Sequence, residues 1–305
     1  TSIGIQAFYG CESLKNVNCK PTNPPTLGDY VFENKASARK IYVPSASVNA
    51  YKTASGWSGY ADYIVSDEPI LQNNQIWYTT TDGNVLQPYD STVFGANIVS
   101  NTYENGKGVI TFDGDIVKIG KSAFMRCGRL VSIDIPNSIT EIEASAFISC
   151  VNLTNIDNIL DNIISIGAQA FMGCSGLTSV KLPNSITSLG GQAFCLCTSL
   201  TSIDIPESLT SISTSAFAQC YKLETVKIPN SITTIEKRAF KLCESLQTIT
   251  IPNGITEIGD DAFQWCKSLT TVNLPESVTS FGTAFSYCES LTKINIPSNV
   301  MFIAS

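Results

Sequence analysis

The amino-acid sequence predicts a repeat solenoid: stacked units of about 23 residues, each a short β-strand followed by a helical or irregular turn. Three observations predict it. The dipeptide Ala-Phe recurs at Phe124, Phe147, Phe171, Phe194, Phe217, Phe240, Phe263 and Phe285, with spacings of 23, 24, 23, 23, 23, 23 and 22 residues. A cysteine follows each of these by three (Cys127 to Cys288), and a leucine follows each cysteine by three (Leu130 to Leu291). Finally, proline closes an L-x-x-I-x-I-like stretch in seven of the eight units, from Pro136 to Pro297.

Within a unit, L-x-x-I-x-I matches the strand of a leucine-rich repeat. Its apolar residues alternate at period two, so the residues between them face outward, and the proline stops the strand. The Ala-Phe-x-x-Cys-x-x-Leu stretch has apolar residues three apart and is expected to form a short helical turn on the opposite side. The unit around Phe147 departs from the rule, because Asp157-Asn158-Ile159-Leu160 replaces Ile-Pro and adds a residue; a local bulge is expected there. No unit can fold alone. An inward set such as Ala216, Phe217, Cys220, Leu223, Val226, Ile228, Ile232 and Ile235 buries too little apolar surface to offset the ordering of its own chain, so neighbours must supply the rest.

The same ruler finds two units at the N-terminus. Ala7-Phe8, Cys11, Leu14 and Val17 fit one; Phe32, Ile41, Val43 and Pro44 fit the other, with Lys35 and Ala38 at the cysteine and leucine places. Ser45 to Lys52 then reads as a capped amphipathic helix, and Trp57-Ser58-Gly59-Tyr60 suits the closure of a core. Residues 1–66 are therefore expected to be the end of a first array with its helical cap. Residues 67–110 break the period. Ile76 to Val85 carries a hairpin signal at Asp82-Gly83, and Gly108 to Asp115 is a second run of that kind, so a small β insert is expected between the arrays. Residues 111–305 form the eight-repeat array. Because Thr1-Ser2-Ile3-Gly4 and Ile303-Ala304-Ser305 both fall inside repeats, the chain is expected to be a piece of a longer protein whose export signal lies elsewhere.

Composition narrows the function. The chain has no histidine, which removes the commonest general base and metal ligand. A net charge of −7 argues against a nucleic-acid footprint. No stretch approaches the roughly 18 consecutive apolar residues of a membrane span. The chain is thus expected to be a binding module rather than an enzyme, with no cofactor. Eight of the 11 cysteines occupy one equivalent interior site, where they read as small buried hydrophobes. Cys195, Cys11 and Cys19 stand outside that column, and a Cys11–Cys19 bridge is left open. Cys195-x-Cys197 has the wrong spacing for a zinc knuckle. Asp82-Gly83-Asn84 and Asp113-Gly114-Asp115 lack the further acidic ligands of a calcium loop and read as turns. Glu141 with Glu143, and Asp260 with Asp261, are carboxylate pairs of the kind a repeat surface yields by accident.

The candidate partner-binding surface is the concave sheet. One outward column runs Ser132, Asn155, Ser179, Ser202, Thr225, Thr248, Thr271, Lys293; its neighbour runs Asp134, Asp157, Lys181, Asp204, Lys227, Thr250, Asn273, Asn295. A third stripe is Thr140, Thr187, Thr210, Thr233, Thr256 and Thr279. Hot-spot aromatics and arginines are scarce in these columns, which predicts weak or multivalent binding. The rival site is the insert, where Trp77, Tyr78, Tyr89, Phe94 and Tyr103 either form an exposed stacking platform for sugars or fill the core of a β module.

The A-F-x-x-C-x-x-L-x-x-I-x-I-P-x-S-I-T unit closely resembles the BspA-like, or Treponema pallidum-type, leucine-rich repeats. Ile41 to Pro44 through Tyr51 and Trp57, and Ala96 to Ser100 with Tyr103 to Gly108, resemble segments of Bacteroides-type members. The resemblance implies a secreted or surface-anchored bacterial protein, in a family that includes adhesins for host proteins or other cells. It supplies no catalytic set to carry over.

Overall fold

The computed structural model describes residues 1–33, 39–67, 71–156 and 160–300. Lys35, Ala38, Asp157, Asn158, Ile159 and the Ile303-Ala304-Ser305 end lie outside the described residues. The chain divides into two compact units, Thr1–Ile70 and Leu71–Ser305.

In the first unit, strands Asn16–Asn18, Lys40–Val43 and Ile64–Ser66 form a parallel sheet over a core of Phe32, Ile41, Val43, Tyr51 and Trp57. The indole N–H of Trp57 and the hydroxyl of Tyr51 donate to the carbonyls of Pro25 and Pro21, at 2.7 and 2.8 Å. The expected capped helix is shorter and differently held. A 3-10 turn at Ser45–Ser47 leads into the α-helix Val48–Thr53, and no serine side chain caps it. Ser47 instead donates its hydroxyl to the Thr22 carbonyl at 2.7 Å, anchoring the helix start to the preceding loop. A feature the sequence did not flag is Arg39. It is 2% exposed, and its guanidinium donates to the carbonyls of Leu14, Phe32 and Cys11 at 2.8, 2.9 and 3.0 Å.

The second unit opens with an antiparallel sheet of strands Gln75–Thr80, Lys107–Phe112 and Ile98–Glu104, in that order. The hairpin is not at Asp82-Gly83. Pro88 follows too closely for a paired return strand, and Asp82 is held instead by Arg129 at 2.6 Å. The tight turn is Asn105-Gly106, both with positive φ (50° and 79°), the conformation that matches the twist of flanking strands. The outer strand of this sheet, Gln75–Thr80, pairs antiparallel with Leu130–Asp134 of the first repeat. One hydrophobic cluster runs from Ile76 and Phe94 through the repeats to Ala284.

The repeats build two parallel ladders, and those from Phe171 onward carry the three-residue strands of the second. The first is built of two-residue strands such as Glu141–Ile142, Ser165–Ile166 and Ser188–Leu189. The second is built of three-residue strands: Ser179–Lys181, Ser202–Asp204 and Thr225–Lys227, then Thr248–Thr250, Thr271–Asn273 and Lys293–Asn295. The Ala-Phe-x-x-Cys side is not helical. It is a succession of i→i+3 turns, each broken by a residue in the left-handed region. These residues sit two before and two after the phenylalanine (Ser122 and Arg126, Ser145 and Ser149, Gln192 and Leu196, for example), and none is β-branched. Left-handed backbone is least tolerable for branched side chains. The alternation turns every second N–H toward the next repeat: Ser122, Phe124 and Arg126 donate to Ala144, Ala146 and Ile148 at 3.0, 2.7 and 2.7 Å. In the last unit Thr283 holds the equivalent place, and Gly282 takes the positive φ (42°) instead.

This stacking brings the phenylalanines into a column from Phe124 to Phe285, with neighbouring ring centroids 5.3–5.8 Å apart and nearly parallel. Phe94 closes one end edge-on and Phe281 the other. The cysteines form a second column. From Cys150 to Cys288 each thiol points at the phenylalanine carbonyl of the preceding repeat, at 3.1–3.4 Å. Burial pushes these thiols up, those of Cys127 and Cys288 to about 11 and that of Cys174 to about 12. They are free thiols and small hydrophobes that add a second donor to a carbonyl already held by the cysteine N–H of its own repeat.

Candidate functional site

The outward face of the three-residue strands follows from the alternation. Ile203 is 1% exposed, while Ser202 and Asp204 on either side face solvent. In-register pairing sets Lys181, Asp204 and Lys227 side by side, about 4.8 Å apart from strand to strand. The same pairing aligns Ser179, Ser202 and Thr225, then Thr248 with Thr271, and Thr250 with Asn273. Two shallow depressions lie on this face. One, of about 250 Å³, is lined by Lys181, Asp204, Lys227, Glu207 and prolines 206 and 229. The other, of about 400 Å³, is lined by Thr248, Thr250, Thr271, Asn273, Lys293 and Asn295.

The start of the predicted columns is arranged differently. Ser132 and Asp134 lie on the strand that pairs with the insert: Ser132 sits opposite Thr79, with their hydroxyls 2.7 Å apart, and Asp134 sits opposite Trp77. Asn155 is exposed, and Asp157 is outside the described residues. The third stripe serves the backbone as well as the surface. Thr233 and Thr279 donate their hydroxyls to the carbonyls of Thr210 and Thr256, each at 3.2 Å.

The aromatics of the insert do not gather on one exposed face. Trp77 is half-buried on the outward face, with the ammonium of Lys107 3.0 Å from its ring centre and its indole N–H on Gln75. Tyr78, the next residue along the strand, points inward and is 1% exposed; its hydroxyl donates to Asn101 and accepts from the Leu86 N–H. That burial pushes its phenol up. Tyr103 packs beside Tyr78 at 5.9 Å and Phe94 is fully buried. Tyr89 alone is largely exposed, at 62%, with no ring partner among the described residues. A platform of Trp77, Tyr78, Tyr89 and Tyr103 is therefore not formed. Strand alternation forces Trp77 and Tyr78 to opposite faces, and Lys107, which the sequence did not single out, occupies the face of the indole.

Several of the acidic residues are engaged structurally. Glu143 accepts from Lys118 and from the Lys121 N–H, which hold its carboxyl below the usual range despite partial burial. Asp82 is held at about 2 by Arg129 and Asn84. Asp113 bonds both the backbone and the side-chain amide of Asn97 at 2.8 Å. Cys11 and Cys19 are separate thiols, one exposed and one buried beside Tyr51.

Comparison with known proteins fits these features. A family model described as BspA type leucine rich repeat region matches residues 1–55, 97–224 and 213–305, in six copies. A leucine-rich repeat protein of Treponema pallidum is 34% identical over 45% of this chain and 65% of its own, with a TM-score of 0.43. One from Bacteroides ovatus is 25% identical over 65% of this chain and 62% of its own, with a TM-score of 0.45. One from Eubacterium ventriosum covers 98% of this chain and 64% of its own at 22% identity and a TM-score of 0.50. The chain thus spans less than two thirds of the length of each of these structures. Comparison with curated protein sequences gives no match. With the family match extending over both units of the fold and most of the sequence, the chain belongs to the BspA-type leucine-rich-repeat proteins of bacteria.

Proposed function

We propose that the chain is a non-enzymatic binding module of a secreted or cell-surface protein. In this reading it contacts host or other cell-surface proteins through the outward face of its three-residue strands. The observation that carries the reading is the in-register row Lys181–Asp204–Lys227 over a shallow depression. Fixed, alternating charges on a rigid ladder select for a complementary charge pattern, and their effect is mainly on specificity and encounter rate. With few aromatic anchors on the face, single contacts are weak and affinity comes from multiplicity. Family membership supports the extracellular placement. No helix among the described residues is long and apolar enough to cross a membrane.

The test is binding of the chain to an array of host matrix proteins and glycans at two salt concentrations. Protein hits that weaken with salt and are lost on Asp204→Lys support the sheet face. Glycan hits lost on Trp77→Ala, with protein hits absent, move the site to the insert. Silence on both arrays leaves the role of a spacer that holds other domains apart.

A further inference from the structure

The residues two before each phenylalanine form a line along the turn side, and most of them hydrogen-bond to one another. Ser145 donates to Gln169 at 3.4 Å and Gln169 to Gln192 at 2.6 Å. Further on, Arg238 Nε donates to Asp261 at 3.2 Å, and Thr283 donates to the same carboxylate at 2.9 Å. The line breaks at Ser215, between Gln192 and Arg238. Its side chain is too short to bridge them. Ser215 is only 7% exposed, and no hydrogen bond joins its hydroxyl to Gln192 or Arg238.

The neighbouring column deepens the break. One residue after the phenylalanine, earlier repeats carry Met125, Ile148 and Met172, while the repeat of Ser215 carries Ala218. The two small residues leave a notch of about 270 Å³, walled by Gln192, Gln219, Arg238, Lys241 and the Cys195 side chain. What faces it is mostly donors. The Gln192 carbonyl is taken by Gln169, leaving its NH₂ group; Arg238 uses Nε on Asp261, leaving its terminal N–H groups. Lys241 lies 3.6 Å from Asp261, so two cations face one carboxylate and one positive charge is uncompensated.

We infer that this notch binds a single carboxylate group, held by Arg238 and Lys241, with the Ser215 hydroxyl and the Gln192 amide donating to its oxygens. A carboxylate is the acceptor-only, singly charged, planar group that this donor set lacks, and guanidinium–carboxylate contacts are among the stronger hydrogen bonds. The site lies on the turns, away from the strand face proposed above, and does not depend on that reading. The carboxylate comes either from a small organic acid or from an acidic side chain of a polypeptide.

The experiment is an NMR titration of the ¹⁵N-labelled chain, following the backbone amides of Gln192, Ser215 and Gln219. The probes are propionate against propionamide, and acetyl-Gly-Glu-Gly-amide against its Gln counterpart. The expected result is saturable shifts at these amides with the carboxylates and none with the amides. Affinity falls about tenfold in Arg238→Gln. Binding is lost in Ala218→Met, which puts into the notch the residue type that Met172 supplies at the same place in an earlier repeat, with melting temperature as the control for folding. Should Arg238→Gln unfold the chain, Ser215→Ala removes one donor and weakens binding in its place. Tighter binding of the glutamyl peptide than of propionate assigns the site to a polypeptide; equal binding assigns it to a free acid. No shift with either carboxylate, equal shifts with the amides, or undiminished affinity in Ala218→Met overturns the inference.

Discussion

Replacing Phe217 by alanine tests how the array is held together. The ring is fully buried and stacks on Phe194 at 5.8 Å and on Phe240 at 5.5 Å. Its deletion removes the transfer energy of the ring and leaves a cavity, which for phenylalanine amounts to about 3–5 kcal/mol. Collapse cannot relieve this, because the backbone on each side is pinned: Phe194 N–H donates to Ala216 at 2.8 Å and Phe217 N–H to Ala239 at 2.9 Å. The expected loss is therefore near the upper end, about 5 kcal/mol, with each lost ring contact contributing about 0.5–1.5 kcal/mol. Phe217→Leu refills most of the volume and costs about 1–2 kcal/mol. Phe285 is a built-in comparison. It is only half-buried and stacks on one phenylalanine of the column, Phe263, so its alanine variant loses about 2 kcal/mol. The assay is urea unfolding followed by far-ultraviolet circular dichroism, with the slope recorded as well as the midpoint. If Phe217→Ala costs less than about 2 kcal/mol, or no more than Phe285→Ala, the stack is not what couples the repeats.

Other consequences are more local. Cys220→Ala removes the thiol that reaches the Phe194 carbonyl at 3.3 Å; that carbonyl keeps the Cys197 N–H at 3.3 Å, so the expected cost by the same unfolding assay is about 1 kcal/mol, and Cys220→Val, which also lacks a donor, does no better. Thiols in the column hold their protons well above the roughly 8.5 of an unfolded cysteine. Between those values the folded state binds more protons, so stability is intact below about pH 8.5 and falls as pH rises through 11, by about 1.4 kcal/mol per pH unit for each buried thiol; a flat stability profile from pH 8 to 10 would contradict this. With a thiol-reactive dye at pH 8, only Cys11 among the described cysteines is expected to react fast in the folded chain, because it alone is exposed. Arg39→Met strands the carbonyls of Leu14 and Phe32, while that of Cys11 keeps the Leu14 N–H at 3.1 Å; it is expected to destabilise the first unit by at least about 2 kcal/mol, read as an early transition in proteolysis between residues 1 and 70.

The period of the fold was legible because a stack repeats its contacts: one phenylalanine, one cysteine and one leucine per unit must recur when each packs on its own copy. Outward columns followed from strand alternation, which is why Lys181, Asp204 and Lys227 were placed correctly beside one another. The turn side, expected as a helical or irregular turn, takes the irregular form. Apolar residues three apart fit a helix and a chain of i→i+3 turns equally well, and the distinguishing sign was negative, the lack of Val, Ile or Thr two places from the phenylalanine wherever φ is positive. Asn105-Gly106 was a stronger hairpin signal than Asp82-Gly83, since alternating residues flank it on both sides and no proline follows. Trp77 and Tyr78 are neighbours in a strand, so alternation alone could have ruled them out as a joint platform. Arg39 and the break at Ser215 depend on what lies across the stack, and nothing local in the sequence marks them.

The proposed function rests on the strand face binding a protein partner through its charge row. The most direct measurement is the affinity of the strongest protein hit for the wild-type chain and for the Lys181→Glu, Lys227→Glu double variant, at low and high salt. The expected result is a weakening of at least about tenfold at low salt, shrinking at high salt as screening removes the difference. Equal affinities at both salt concentrations would place the partner's contact elsewhere on the molecule.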